Sequence, residues 1–247
     1  MSGGLGLGIQ DLSVRFGSLE VLRSISVELT SGVTALLGVN GAGKSTLLRV
    51  LAGLLAPTAG TVRLGERGLR QSRGAVLRKV GYLPESSPLP PYLTPLEYLE
   101  MVATLRDQPT DRASLLAQLE PLGVAEHGGR LIGDLSLGLR RRSALAGALL
   151  GDPPVLLLDE PLSGLDVESA RAMRHRLSER ARSGAVVLWA THRMEMVESL
   201  ATRVLVVHGG RVHCDGSPMA LRQGVDRPGA SFEEVFFGLL ALPRAGD

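Results

Sequence analysis

Gly38-Val39-Asn40-Gly41-Ala42-Gly43-Lys44-Ser45-Thr46 decides how this chain is read. The stretch fits the pattern G-x-x-x-x-G-K-[ST], which cradles phosphate groups. Glycines let successive backbone N–H groups turn inward and approach phosphate oxygens without a side-chain clash. A helix opening near Lys44 points the positive end of its dipole at the same anion. Lys44 adds a mobile positive charge for β- and γ-phosphates, and the Ser45 hydroxyl is a ligand for Mg²⁺. The flanks agree. Val33-Thr34-Ala35-Leu36-Leu37 is an apolar run suited to a buried strand. Thr46-Leu47-Leu48-Arg49-Val50-Leu51 carries apolar residues at helical spacing and stops at Gly53.

A second constellation lies about 110 residues on. Val155-Leu156-Leu157-Leu158-Asp159-Glu160 is an apolar run ending in two carboxylates. Such a run suits a parallel strand buried on both faces, and its carboxyl end is where open α/β sheets bind ligands. Asp159 is the natural partner of Mg²⁺ and Glu160 the natural polariser of an attacking water. A third strand-like run, Ala185-Val186-Val187-Leu188-Trp189-Ala190, leads to Thr191-His192.

With these residues in order, the chain resembles an ATP-binding cassette (ABC) ATPase over nearly its whole length, in the branch that serves drug, sodium and polysaccharide exporters with separate permeases. The resemblance implies an α/β fold: a P-loop NTPase core with a mostly parallel sheet, an antiparallel β subdomain and an inserted α-helical subdomain. It places Phe16 where an aromatic stacks on adenine, and Glu85, in Gly81-Tyr82-Leu83-Pro84-Glu85, at a metal-proximal loop position usually held by Gln. Leu135-Ser136-Leu137-Gly138-Leu139-Arg140 resembles the Leu-Ser-Gly-Gly-Gln signature, with Leu137 and Leu139 replacing a Gly and the Gln. Ser136 and Gly138 are then expected to touch the ATP held by the phosphate loop of a second chain. Asp166, in Ser163-Gly164-Leu165-Asp166, is expected at the dimer contact and as a helix N-cap. His192 is the expected γ-phosphate sensor, joining Lys44 and Glu160 in catalysis. Ser45, Glu85 and Asp159 form the expected Mg²⁺ set.

The rest of the chain bounds this reading. At 247 residues and 44% hydrophobic, it can bury a sizeable core and is no disordered segment. A net charge of +2 signals no preference for nucleic acid. Lys44 and Lys79 are the only lysines. Arg140-Arg141-Arg142 reads as an exposed helix face, since no aromatic is interleaved for base stacking. The single cysteine, Cys214, suits a reducing compartment, and His213 beside it reads as structural. No targeting segment and no membrane-spanning run is visible, so the expectation is a cytoplasmic chain, peripheral to the membrane through its permease.

The expected layout is a nucleotide-binding domain over 5–230 and a C-terminal amphipathic tail over 231–247. A helical subdomain of about 86–150 is inserted in it, with helical spacing over 96–105 and 113–122 after the cluster Pro88, Pro90 and Pro91. Residues 7–37 alternate as antiparallel strands, 61–64 add a short strand, and 203–215 form a strand pair turning at Gly209-Gly210. Two such chains, identical or paralogous, would face head to tail around ATP. An importer ATPase, a soluble ATP switch on ribosome or DNA, and a non-hydrolysing regulator remain the alternatives.

Overall fold

The computed structural model describes residues 6–68, 74, 77–86, 88–225 and 229–241. Leu5 and residues 69–73, 75–76 and 226–228 of the expected nucleotide-binding span, Ser87 beside the proline cluster and 242–247 of the tail lie outside the described residues.

Two sheets carry the fold. The central one has the order β10-β9-β3-β8-β7-β6: β3 (Gly32–Leu37), β6 (Val80–Leu83), β7 (Val155–Asp159), β8 (Val186–Ala190), β9 (Arg203–His208) and β10 (Arg211–Gly216). All neighbours pair in parallel except β9 and β10, a hairpin turning at Gly209-Gly210. β7 and β8 are buried at every position, as apolar runs without alternation require when both faces are covered. The second sheet is antiparallel, β2-β1-β4-β5: β1 (Leu7–Phe16), β2 (Leu19–Leu29), β4 (Ala59–Leu64) and the two-residue β5 (Arg67–Gly68). Its alternating residues leave one face in solvent and pack Leu12, Val14, Leu22, Ile25 and Leu29 inward.

Three apolar clusters fill the gaps. The first lies between the two sheets around helix α1 (Lys44–Leu51). The second lies on the other face of the central sheet, under α2 (Pro95–Leu105), α3 (Arg112–Leu119), α4 (Leu137–Leu149) and α5 (Val167–Arg182). The chain leaves the sheet after β6, makes α2, α3 and α4, and returns at β7. α2 starts with a capping box: the Thr94 side chain accepts from Glu97 N–H and the Glu97 carboxylate accepts from Thr94 N–H.

The third cluster joins β3 and β9 to α6 (Val197–Leu200), α7 (Pro218–Gln223) and α8 (Phe232–Ala241). α8 is the amphipathic segment of the tail, and Phe232, Val235, Phe236 and Leu239 are its buried stripe. His213 on β10 is buried, and its Nε2 donates to the Leu239 carbonyl at 2.8 Å. No helix among the described residues is long and apolar enough to cross a membrane.

Candidate functional site: a phosphate loop above a carboxylate pair

The loop between β3 and α1 rises from the carboxyl end of a central strand, with the ends of β7 and β8 beside it. Two glycines are required by geometry. Gly43 has φ +105°, and a Cβ there would meet Leu22 Cδ2 at 2.6 Å. A Cβ on Gly38 would meet the Val207 carbonyl oxygen at 2.4 Å. The loop therefore needs glycine both to turn and to lie against β9.

An open cavity of about 350 Å³ is lined by Leu19, Val21, the loop from Asn40 through Thr46, Glu85, Asp159 and His192. The fold thus brings together Asn40, Gly41, Ala42, Gly43, Lys44, Ser45, Thr46, Glu85, Asp159 and His192. Lys44 is buried, and its ammonium donates to the Gly38 carbonyl at 2.8 Å and the Val39 carbonyl at 3.2 Å. Gly38 and Val39 thus form the footing of the loop. Burial pushes the Lys44 ammonium below its ordinary pKa, while Asp159, Glu160 and Glu85 pull the other way.

Asp159 closes β7 and is almost fully buried. Its Oδ2 accepts a hydrogen bond from Ser45 Oγ at 2.7 Å. Burial raises its pKa, and the Ser45 bond opposes that rise. Glu160 follows with φ +52°, in the left-handed region. Its N–H donates to the Ala190 carbonyl at 2.9 Å, continuing the β7–β8 ladder one residue. Both its carboxylate oxygens are held from the end of β8: Oε1 accepts from His192 N–H, and Oε2 from Thr191 Oγ1 at 3.3 Å. Burial is again the main influence, and it raises the Glu160 pKa.

Other expected residues lie apart. Phe16 is half-exposed beside the β1–β2 turn, opposite Leu19, and is not among the cavity's lining residues; Leu19 and Val21 are. Ser136 caps α4, its Oγ accepting from Leu139 N–H at 3.3 Å. Neither Ser136 nor Gly138 lines the cavity. Leu137 is 78% exposed. A Cβ on Gly138 would lie 3.5 Å from the Gly164 carbonyl, so the turn sits beside the loop that follows Glu160. Asp166 caps α5, accepting from Ser169 N–H at 2.8 Å.

The arginine run corrects the expectation of an exposed helix face: all three side chains are partly buried. Arg142 binds the Leu122 carbonyl at 3.2 Å and faces Asp166 at 3.7 Å. The Arg141 guanidinium donates to the carbonyls of Pro84, Glu85, Asp159 and Glu160. Charge-run reasoning missed this because α4 passes within six residues from solvent at Leu137 to full burial at Ser143.

The family model described as ABC transporter matches residues 22–163. The chain is 36% identical to the Nod factor export ATP-binding protein I of Burkholderia lata, over 87% of this chain and 72% of that one. It is 38% identical over 192 residues to the human retinal-specific phospholipid-transporting ATPase ABCA4, of whose length it spans only 8%. Among solved structures, an ATP-binding subunit of an ABC transporter aligns with TM-score 0.86 at 28% identity, covering 95% of this chain and 99% of that one. A dimeric ATP-binding cassette in a post-hydrolysis state with ADP and Pi aligns with TM-score 0.78 at 22% identity, covering 85% and 98%.

Proposed function

The chain belongs to the ABC transporter family of ATPases, and from that premise we propose that it is the ATP-hydrolysing subunit of an exporter whose membrane path is a separate permease. One observation carries the site assignment. Ser45 Oγ and Asp159 Oδ2 touch at the floor of the phosphate loop, with the Glu160 carboxylate held from the end of β8.

In this reading the loop N–H groups and Lys44 bind the β- and γ-phosphates of ATP. A water oxygen attacks the γ-phosphorus in line. The bond to the bridging oxygen breaks, ADP leaves with that electron pair, and a proton of the water passes toward Glu160. Anchoring both Glu160 oxygens at the end of β8 fixes the base before substrate arrives, so little reorganisation is left for the reacting state. His192, which lines the cavity and whose N–H holds Glu160, senses the γ-phosphate. Mg²⁺ fits the donor set, since Ser45, Asp159 and Glu85 offer only hard oxygens on one cavity. Bound there, it would neutralise charge on the phosphate oxygens. Phe16, at the hairpin tip, stacks on the base.

Ser136 and Gly138 are assigned to the ATP of a second nucleotide-binding chain, in keeping with their place outside this chain's own cavity. ATP bridging two chains stabilises the closed pair over the open one, and only such differential affinity drives movement. The chain would then work in the cytoplasm, docked on its permease. Export is supported by the 36% identity to a Nod factor export ATP-binding protein.

Purified chain should show Mg²⁺-dependent ATPase activity that Glu160→Gln slows by about 10²–10⁴-fold. Absence of any such activity in the chain co-purified with its partners overturns the hydrolytic reading. Affinity purification from membranes should bring down a hydrophobic multi-span chain. Recovery of ribosomes or DNA instead would favour a soluble switch.

A further inference from the structure

Arg141 is the one described side chain whose hydrogen bonds reach both Glu160 and the Glu85 loop. Its Nη1 donates to the carbonyls of Pro84, at 3.4 Å, and Glu85; its Nη2 donates to those of Asp159, at 2.6 Å, and Glu160, at 2.7 Å. These four carbonyls belong to the segments leaving β6 and β7, two neighbouring parallel strands. A planar guanidinium can hold two such pairs at once, one on each terminal nitrogen; a lysine ammonium is a single point.

Glu160 needs holding. A non-glycine residue at φ +52° is in a costly conformation that persists only when its surroundings enforce it. The Arg141 contacts on the carbonyls of Asp159 and Glu160, together with the Glu160 N–H bond to Ala190, provide that enforcement. The positive charge also lies close to Asp159, Glu160 and Glu85. Arg141 lies only five residues beyond Ser136, and the Arg140 N–H donates to the Ser136 carbonyl at 2.9 Å. The guanidinium is thus mounted on the first turns of α4, directly behind the exposed turn.

We propose that Arg141 is a positioning residue: it sets the backbone of Glu160 and ties it to the Ser136–Gly138 turn, so that a ligand seated on that turn is felt at this chain's own water-orienting carboxylate. The inference rests on the ATPase reading above and adds a residue to it. Arg141 touches carbonyls only and meets no reacting atom.

A double-mutant cycle on the full chain tests it, with Arg141→Met, Glu160→Gln and the pair, reading kcat, KM for ATP, ADP affinity by calorimetry and Tm. Arg141→Met should lower kcat by about tenfold or more, within the range that a misplaced base costs. KM and ADP affinity should stay within about twofold, because the phosphate loop is untouched. Added to Glu160→Gln, the Arg141 change should cost less than about twofold further, since residues acting through one another are not additive. Arg141→Lys, which keeps the charge, should recover only part of the loss. If Arg141→Met fails to fold, Arg141→Lys carries the same cycle. Losses that multiply, an unchanged kcat, or full recovery by lysine would each overturn the proposal. Failure of the unmodified chain to bind ADP or hydrolyse ATP would sink the ATPase reading instead.

Discussion

The phosphate loop and the Ser136–Gly138 turn are both backbone N–H cradles at a helix start, yet they are finished to different degrees. At the loop, Lys44 is buried on the Gly38 and Val39 carbonyls, and Ser45 is joined to Asp159. At the turn, Ser136 binds only its own helix, and Leu137 projects into solvent. One cradle is closed within the chain. The other is complete only up to its surface. On the proposed reading, the contrast is that of a single chain holding halves of two different sites.

The largest blow to that contrast should come from Lys44→Ala. Removing the only mobile cation over the phosphates should weaken ATP binding at least about tenfold and remove turnover; unchanged affinity in a titration would contradict the assignment. Glu160→Gln should retain binding and slow hydrolysis by about 10²–10⁴-fold, the usual worth of a positioned acid or base. An ATP-bound dimer should accumulate in that variant on a sizing column.

Changes at the open cradle should spare the closed one. Ser136→Ala should leave ADP affinity of the monomer unchanged and reduce dimer-dependent turnover by about tenfold, the loss expected for one donor at a developing charge or somewhat below it. Phe16→Ala should weaken nucleotide binding by about 1–3 kcal/mol if it stacks on the base; no change would hand that role to Leu19 and Val21.

The smallest expected effect is on stability, and its sign is opposite to that on activity. Burial raises the Asp159 and Glu160 pKa values, so the folded chain binds more protons than the unfolded one between the ordinary carboxylate pKa and the raised one. Stability therefore falls as pH rises through that window. Glu160→Gln removes one of the two groups, should flatten the slope, and should raise Tm near neutral pH by about 2–4 °C, the shift that about 1 kcal/mol gives a chain of this size. A lowered Tm would show that the two carboxylate hydrogen bonds outweigh the burial.

Much of this was legible in advance because it is local. The phosphate loop, the apolar run ending at Asp159-Glu160 and the caps at Ser136 and Asp166 each depend on residues a few positions apart. The two-sheet fold follows from alternation in residues 7–29 and its absence in 155–159 and 186–190; 32–37, read with the alternating stretch, is instead a buried strand of the parallel sheet. What stayed hidden depends on which parts of the chain meet. Arg141 looks like its neighbours in sequence; only the packing of α4 against β6 and the end of β7 singles it out. Leu19 and Val21 read as ordinary strand residues, and only the position of the β1–β2 turn puts them at the cavity while Phe16 remains outside. The two glycines of the signature pattern that would have marked the second cradle are reduced to one, Gly138.

The docking of α8 has a practical consequence. Its Phe232, Val235, Phe236 and Leu239 share a cluster with Ala35 and Leu37, on the strand that ends at the phosphate loop. A shortened expression clone ending near Gly229 would strip away that wedge and uncover the underside of β3. Engineers who want a minimal, crystallisable ATPase fragment should trim elsewhere.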